Sequence, residues 1–235
     1  MTAAEIVKQL KPLGAESYKK ILRNHGVPEP LFGVKIEELK KIQKRVKKDY
    51  RLALDLYDTG IYDAMYLAGL VADDIKMTRQ DLTRWVEKAH CSMLNEYTVA
   101  WVAAESAHGR ELALEWIESK KESVAASGWA TLRSLVAVKD DKELDLAELK
   151  KLLLRVQKKI HSEPNRVRYG MNGFVVAVGT YVKALTDFAL ETAARIGPVT
   201  VNMDGTSCQV PDAAESIQKV QKRGAIGKKR MTSKC

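Results

Sequence analysis

Apolar residues recur every three or four positions along most of the chain, which is the spacing of an amphipathic helix. In the segment IEELKKIQKRV at 36–46, the apolar residues Ile36, Leu39, Ile42 and Val46 share one face, and lysines lie on the opposite one. Segments with the same periodicity follow at 62–72, 81–89, 97–106, 111–119, 146–160 and 183–196. This pattern predicts an all-α protein.

The predicted helices come in pairs of about 40 residues, joined by short breaks such as 58–60 and 107–109. This spacing favours an α-solenoid of helical repeats. No sharp sequence repeat accompanies it, so a compact multi-helix fold stays open. The segments at 97–106 and 123–138 are apolar nearly all round, as expected for helices packed between neighbours.

The pattern changes after Gly197. Two β-prone runs in VTVNMDGTSCQV at 199–210 flank Asp204 and Gly205, a pair suited to a tight hairpin turn. We therefore predict a small C-terminal β-hairpin within 199–210. We expect a single helical domain over 1–223 and a flexible basic tail over 224–235, because no acid follows Lys219.

The composition limits the possible partners and cofactors. The 39 Lys and Arg exceed the 30 Asp and Glu, and the net charge of +9 favours a polyanion such as DNA. The three cysteines and four histidines show no metal-ligand spacing, and no phosphate-binding glycine loop is present, so we expect no metal or cofactor. No apolar run approaches the roughly 18 residues of a membrane span. The cysteine usage favours a reduced, cytoplasmic compartment.

Three segments, in this order, resemble the AlkC/AlkD-like DNA alkylation-repair family over about residues 20–196. They are FGVKIEELKKIQK at 32–44, a helix pair carrying tryptophans from Trp85 to Trp116, and HSEPNRVRYGMNGF at 161–174. The resemblance implies a HEAT-like solenoid that holds duplex DNA on a basic concave face. It also implies a relation to glycosylases that excise N3- and N7-alkylated purines.

The chain departs from the glycosylase members in the turn that carries their catalytic carboxylate. That turn falls on SMLNEYTVAWV at 92–102, where Leu94 stands near the expected tryptophan and Thr98 near the expected aspartate. A shift of the alignment by one turn gives the carboxylate role to Glu96. The resemblance is therefore to a divergent branch that lacks the usual catalytic aspartate, and it leaves base excision open. Some such relatives bind DNA, including branched DNA, without excision.

The candidate catalytic residue is Glu96, the acid of this turn, because a developing sugar cation needs a nearby carboxylate. The rings of Tyr97 and Trp101 beside it can contact DNA or a cationic base. The alternative, which we favour for catalysis, is that Glu96 is a first-turn helix acid and Trp101 a core residue. One repeat later, Trp129 and Arg133 occupy the matching region and are also candidate DNA contacts.

Basic side chains in four regions are candidate phosphate contacts. Arg166 and Arg168 begin a predicted helix, where Asn165 or Ser162 can cap the exposed N–H groups. The alternatives are a capping or ion-pair role for the arginines and an ordinary solvated face for the lysines. The predicted DNA-binding cations are Lys35, Lys40, Lys44, Lys47, Arg133, Arg166, Arg168, Lys228, Lys229 and Arg230.

These observations predict a protein of the alkylation-repair type that binds duplex or branched DNA. The alternative is a helical-repeat scaffold with a protein partner, because α-solenoids often present extended surfaces to other proteins. A continuous basic surface favours the first hypothesis, and a neutral groove favours the second.

Overall fold

The computed structural model describes residues 1–203 and 206–234, and this part of the chain is helical with no strand. It divides into two compact units. Unit 1 contains Met1–His108, the described residues of Met203–Ser207, and Lys234. Unit 2 contains Gly109–Asn202 and Cys208–Ser233. The prediction of an all-α chain is confirmed over the described residues.

Unit 1 is built from short helices with strong start signals. Thr2 and Thr78 each accept a backbone N–H and complete a capping box, and Asp49 caps a third helix start. The helices of unit 1 are α1 (Ala3–Leu10), α2 (Glu16–Asn24), α3 (Ile36–Val46), α4 (Tyr50–Tyr57), α5 (Tyr62–Val71), α6 (Arg79–Lys88), a π-helix (Leu94–Val99) and α7 (Ala100–Glu105). All residues of α5 are buried, so α5 is the central helix of this unit's core.

A buried carboxylate fixes the loop that carries the FGV sequence before α3. The Asp63 side chain, at the start of α5, accepts hydrogen bonds from the backbone N–H groups of Phe32 (2.6 Å) and Val34 (2.7 Å). Gly33 has a positive φ of 76°, and a Cβ there would lie 2.8 Å from the backbone nitrogen of Lys19. The FGV sequence is therefore explained by the packing of this loop.

Unit 2 packs longer helices around α9 and α11. Its helices are α8 (Gly109–Trp116), α9 (Glu122–Val138), α10 (Leu146–Lys159), α11 (Asn165–Tyr181), α12 (Thr186–Ile196) and α13 (Ala213–Lys222). In the core the rings of Trp129 and Phe174 meet at 5.4 Å between centroids. Among the described helices none alone is long and apolar enough to cross a membrane, and one pair, α11 with Lys183–Ile196, passes that test together but is bent by 115°.

Glycines let the helices of unit 2 approach closely. A Cβ at Gly170 would lie 2.9 Å from the Cβ of Trp129, and a Cβ at Gly179 would lie 2.4 Å from the Ile217 side chain. Both contacts are closer than a real side chain allows. The structure thus gives these glycines a packing role and explains why α11 carries them.

The predicted β-hairpin within 199–210 is wrong. The described residues 199–203 and 206–210 form no strand, and the predicted turn at Asp204 and Gly205 lies outside the described residues. The amide side chain of Asn165 hydrogen-bonds to both backbone groups of Asn202. It donates to the carbonyl at 2.8 Å and accepts from the N–H at 2.7 Å. These bonds satisfy groups that a cross-strand pair would need, so a tertiary contact overrides the local turn signal.

The basic tail makes backbone hydrogen bonds within unit 2. The Gly227 N–H donates to the Thr180 carbonyl at 2.8 Å, and the Arg230 N–H donates to the Ala137 carbonyl at 2.8 Å. The boundary between a domain over 1–223 and a tail over 224–235 stays a prediction, as does the flexibility of the tail in solution.

Lys234, which belongs to unit 1, is buried there against Asp74. Its ammonium group lies 2.7 Å from one carboxylate oxygen of Asp74 and donates to the Ala72 carbonyl at 3.2 Å. The other carboxylate oxygen pairs with Lys48 at 3.1 Å. Two lysines therefore neutralise one carboxylate that is almost completely removed from solvent.

Candidate nucleic-acid interface

The turn predicted to hold the catalytic carboxylate is wound as the π-helix and continues directly into α7. π-Helical turns are rare and frequently mark functional sites. Here the wider winding buries Glu96, which is only 1% exposed, together with the neighbouring Asn95. The Asn95 amide donates to the carbonyl of Cys91 at 3.2 Å and so fixes the entry of the π-helix. The one acid of the turn is thus inside unit 1.

The two positions aligned with the glycosylase residues are packing positions. Leu94 and Thr98 are both fully buried. Thr98 lies against α5, because a Cβ at Gly69 would be 2.6 Å from the Thr98 Cγ2 atom. The Thr98 hydroxyl is buried without a hydrogen-bond partner in the described part of the chain. A solvated carboxylate has no room at this position.

An aromatic cluster lies beside the π-helix. The Trp101 ring meets Tyr66 edge-on at 5.8 Å and Tyr97 at 5.6 Å between centroids, and Tyr66 contacts Tyr62 at 6.2 Å. Trp101 is 6% exposed, which agrees with the interpretation of this residue as part of the core. Tyr97 is partly exposed, so its ring is the member of the pair that solvent reaches.

The thiol of Cys91 sits at the start of the same π-helix. Burial raises its pKa to about 11, the backbone N–H groups of Leu94 and Met93 act in the opposite direction, and the charge of Glu96 adds to the increase. Such a thiol is protonated near neutral pH and is a poor nucleophile. Within residues 1–203 and 206–234, no three His, Cys, Asp or Glu side chains are grouped to hold a metal ion.

The lysines predicted to contact DNA in and around α3 share one helix face only in part. Lys40 and Lys44 lie within the helix, one turn apart, and neither forms an ion pair with a described carboxylate. Lys47 follows the helix with a positive φ of 63°, so it leaves the helical register and the shared face. Lys35 precedes the helix and lies 3.9 Å from Glu37. The structure therefore brings together two of the four predicted cations.

The start of α11 already holds a carboxylate. The Arg166 N–H donates to Glu122 of α9 at 2.6 Å, and the Asn165 side chain points to Asn202 and does not cap the helix. The predicted alternative cap, Ser162, donates to the Lys159 carbonyl. The anion site of this helix is thus filled from within unit 2. Sequence reasoning missed Glu122, which lies 44 residues away.

The two arginines of α11 differ in their surroundings. The Arg166 guanidinium lies over the Tyr169 ring, 4.6 Å from its centroid. The Nε atom of Arg168 is buried and has no hydrogen-bond partner among the described residues. A buried donor without a partner is unfavourable, so Arg168 is the arginine of this pair with an uncompensated polar atom.

Trp129 and Arg133 lie on α9 but in different environments. Trp129 is fully buried against Phe174, where the guanidinium of Arg155 lies 5.8 Å from its ring centroid. Arg133 is partly exposed and lies across Gly173, since a Cβ there would be 3.1 Å from the Arg133 Cδ atom. Of this pair, Arg133 is the side chain that a ligand can reach.

The tail cations are also unlike one another. Lys228 is exposed and forms no ion pair in the described part of the chain, and Arg230 is exposed. Lys229 is turned inward, with its ammonium 2.7 Å from Asp141 and 2.9 Å from the Val136 carbonyl. The DNA-binding roles of all these cations stay predictions.

The sequence matches the model of a known protein family and is similar to two bacterial proteins. A family model for DNA alkylation repair enzymes matches residues 6–215. The uncharacterized protein Lin0241 of Listeria innocua serovar 6a is 33% identical over 229 residues, covering 95% of this chain and 99% of that protein. The uncharacterized protein Lmo0209 of Listeria monocytogenes serovar 1/2a is 32% identical with the same coverage.

The structure is also similar to a solved one, with a TM-score of 0.93, 36% sequence identity and 100% coverage of both chains. That protein represents "a new family of proteins related to the HEAT-like repeat DNA glycosylases with affinity for branched DNA structures". The prediction of a HEAT-like fold is therefore confirmed, apart from the hairpin.

Proposed function

Because the chain belongs to the DNA alkylation repair enzyme family, we propose that it binds duplex or branched DNA through phosphate contacts with basic side chains. The observation that carries this proposal is the similarity, over the full length, to a protein with affinity for branched DNA. The net charge of +9 supports it, because cations that neutralise phosphates release condensed counterions.

We assign the phosphate contacts to cations that solvent reaches and that form no ion pair with a described carboxylate. In unit 1 these are Lys40 and Lys44 of α3. In unit 2 Arg168 is the cation of this kind, and we add Arg133 because its side chain is partly exposed. Phosphate contacts fix position and carry no sequence information, so we expect binding that depends on DNA form more than on base sequence.

We further propose that base excision is absent or slow. Stabilisation of the sugar cation needs a carboxylate aimed at the reacting base. The aligned position, Thr98, is a buried packing residue, and Glu96 is 1% exposed. Losing one well-placed electrostatic group costs about 3 kcal/mol, or roughly a hundredfold in rate.

The test measures binding by fluorescence anisotropy with a four-way junction and a linear duplex across salt concentrations. We expect the logarithm of the affinity to fall with the logarithm of salt at about −0.9 per phosphate contact. A duplex containing N7-methylguanine reports base release in the same samples. A salt-independent complex, or no binding to either DNA, would refute the binding proposal.

A matched pair of variants assigns the contacts in α3. Lys40→Gln with Lys44→Gln removes two charges that lack an acidic partner. Lys41→Gln with Arg51→Gln removes two charges that are paired with Glu38 and Asp55. The first variant should reduce the salt slope by about two and the second should leave it unchanged. Equal slopes for the two variants would contradict the assignment to α3.

A further inference from the structure

Unit 2 contains a second cationic surface, formed where the tail folds back after α13. Its four members are exposed and form no ion pair with a described carboxylate: Lys183, Lys222, Arg223 and Lys228. We call this set the tail edge. It shares none of its residues with the assignments of α3 and α11 above, and of its members only Lys228 carries a sequence-based prediction.

Backbone hydrogen bonds bring the tail edge together. After α13 the chain reverses at Gly224 and Gly227, which have positive φ angles of 62° and 78°. The Ala225 N–H donates to the Val220 carbonyl at 3.2 Å, which folds the chain back on α13. The bond from Gly227 to Thr180 then brings Lys228 next to the start of Lys183–Leu185. A Cβ at Gly227 would touch the Lys183 side chain at 3.4 Å.

Lys229 anchors this arrangement at the end of α9. Its ammonium group caps the Val136 carbonyl and pairs with Asp141, and the next backbone N–H, from Arg230, donates to Ala137. A lysine at the C-terminus of a helix satisfies free carbonyls and is favoured by the helix dipole. Lys229 is turned inward and therefore fixes the position of its exposed neighbour, Lys228.

We propose that the tail edge is a second DNA-binding site, which contacts the phosphate backbone of DNA with cations carried on an anchored backbone. This inference rests on the proposed DNA-binding function. An anchored backbone has little conformational entropy left to lose on binding, so the four cations bind a phosphate run more tightly than the same charges on a free arm. Lys229 is a positioning residue here, because it acts through the anchored backbone and not on DNA.

Two variants with equal charge test the tail edge. The edge variant carries Lys183→Gln, Lys222→Gln, Arg223→Gln and Lys228→Gln. The control variant removes four cations that are ion-paired in the structure, by Lys41→Gln, Arg51→Gln, Arg195→Gln and Lys219→Gln. The edge variant should lose about three and a half units of salt slope for a four-way junction, at about −0.9 for each of its four contacts, and the control should lose less than about one.

The outcomes separate the inference from the function it rests on. If the wild-type protein binds the junction and the edge variant retains the slope of the control, the tail edge is not a DNA site. If the wild-type protein binds neither junction nor duplex, the proposed function fails, and the inference fails with it.

The anchoring role of Lys229 has a separate readout in limited trypsin digestion. Lys229→Met removes both contacts at the end of α9, so cleavage after Arg223 and Lys228 should become at least about tenfold faster as the tail detaches. The same variant should bind the junction more weakly although all four edge cations remain. Unchanged cleavage and unchanged binding would overturn the anchored geometry.

Discussion

Two glycines on one helix should respond in opposite ways to the same substitution. Gly170 and Gly173 both lie within α11 and both face α9. Replacing a glycine by alanine inside a helix favours folding by about 1 kcal/mol, because the backbone loses less freedom on folding. The two sites differ in what the new methyl group would meet, and that difference decides the sign.

At Gly170 the new Cβ would lie 2.9 Å from the Cβ of Trp129, which is fully buried and close to its own backbone. Trp129 has no room to move, and overpacking of a core costs about 1–3 kcal/mol. Because this contact is with an atom next to the backbone, we expect a cost in the upper part of that range, so Gly170→Ala should destabilise the protein by about 1–2 kcal/mol after the helix gain. At Gly173 the neighbour is the flexible end of Arg133, 3.1 Å away at Cδ. We therefore expect Gly173→Ala to be neutral or to stabilise by about 0.5–1 kcal/mol.

Thermal and urea unfolding followed by circular dichroism measure the difference. For a chain of this length 1 kcal/mol moves the midpoint by about 2–4 °C, so the two variants should differ by about 4–8 °C. Gly173→Ala displaces Arg133, so it should also weaken DNA binding a few-fold without loss of stability. A Gly170→Ala protein as stable as the wild type would refute the packing argument, as would equal destabilisation by both substitutions.

Three further outcomes follow from buried groups. Iodoacetamide at pH 8 should label the exposed Cys208 much faster than the buried Cys91, as measured by peptide mass spectrometry. The labelling rate of Cys91 should increase as the pH approaches its pKa of about 11, and equal rates for the two thiols at pH 8 would contradict this expectation. Lys234→Met should lower the free energy of unfolding in urea by only about 2 kcal/mol, because Asp74 keeps its ion pair with Lys48. An unchanged urea midpoint would show that the Lys234–Asp74 pair contributes nothing to stability. Wild type and Glu96→Gln should both release N7-methylguanine at the background rate; rapid release by the wild type that the substitution abolishes would reverse the proposal on excision.

The helices could be predicted because their signals are local. The apolar spacing at 36–46 gives α3 with the observed ends, and Thr78 marks the start of α6 with a capping box. The π-helix could not be predicted in this way, since Leu94–Val99 carries apolar residues that also fit a 3.6-residue period. The π-helix packs against α5, and a local sequence pattern contains no information about that contact.

The candidate site was harder to predict because its geometry depends on residues far apart in the chain. Glu122 occupies the start of α11 from 44 positions away, and Asn165 bonds to Asn202 from 37 positions away. Either contact changes what a local motif predicts: the first fills an apparent phosphate site, and the second replaces an apparent hairpin. Each contact is made by a common residue type, a glutamate or an asparagine, so the amino-acid composition does not indicate either contact.

The alignment of Thr98 with a catalytic aspartate shows the same dependence on packing. A sequence comparison registers one lost carboxylate and treats Glu96 as its neighbour and substitute. In the structure Thr98 contacts Gly69 of α5, a position where any Cβ would collide with it, so the two residues fit each other as a pair. A carboxylate at position 98 would meet this close contact and lose its hydration, which is costly without a partner. The turn is therefore part of the core of unit 1, which is why the proposed function assigns the DNA contacts to surface cations and not to this turn.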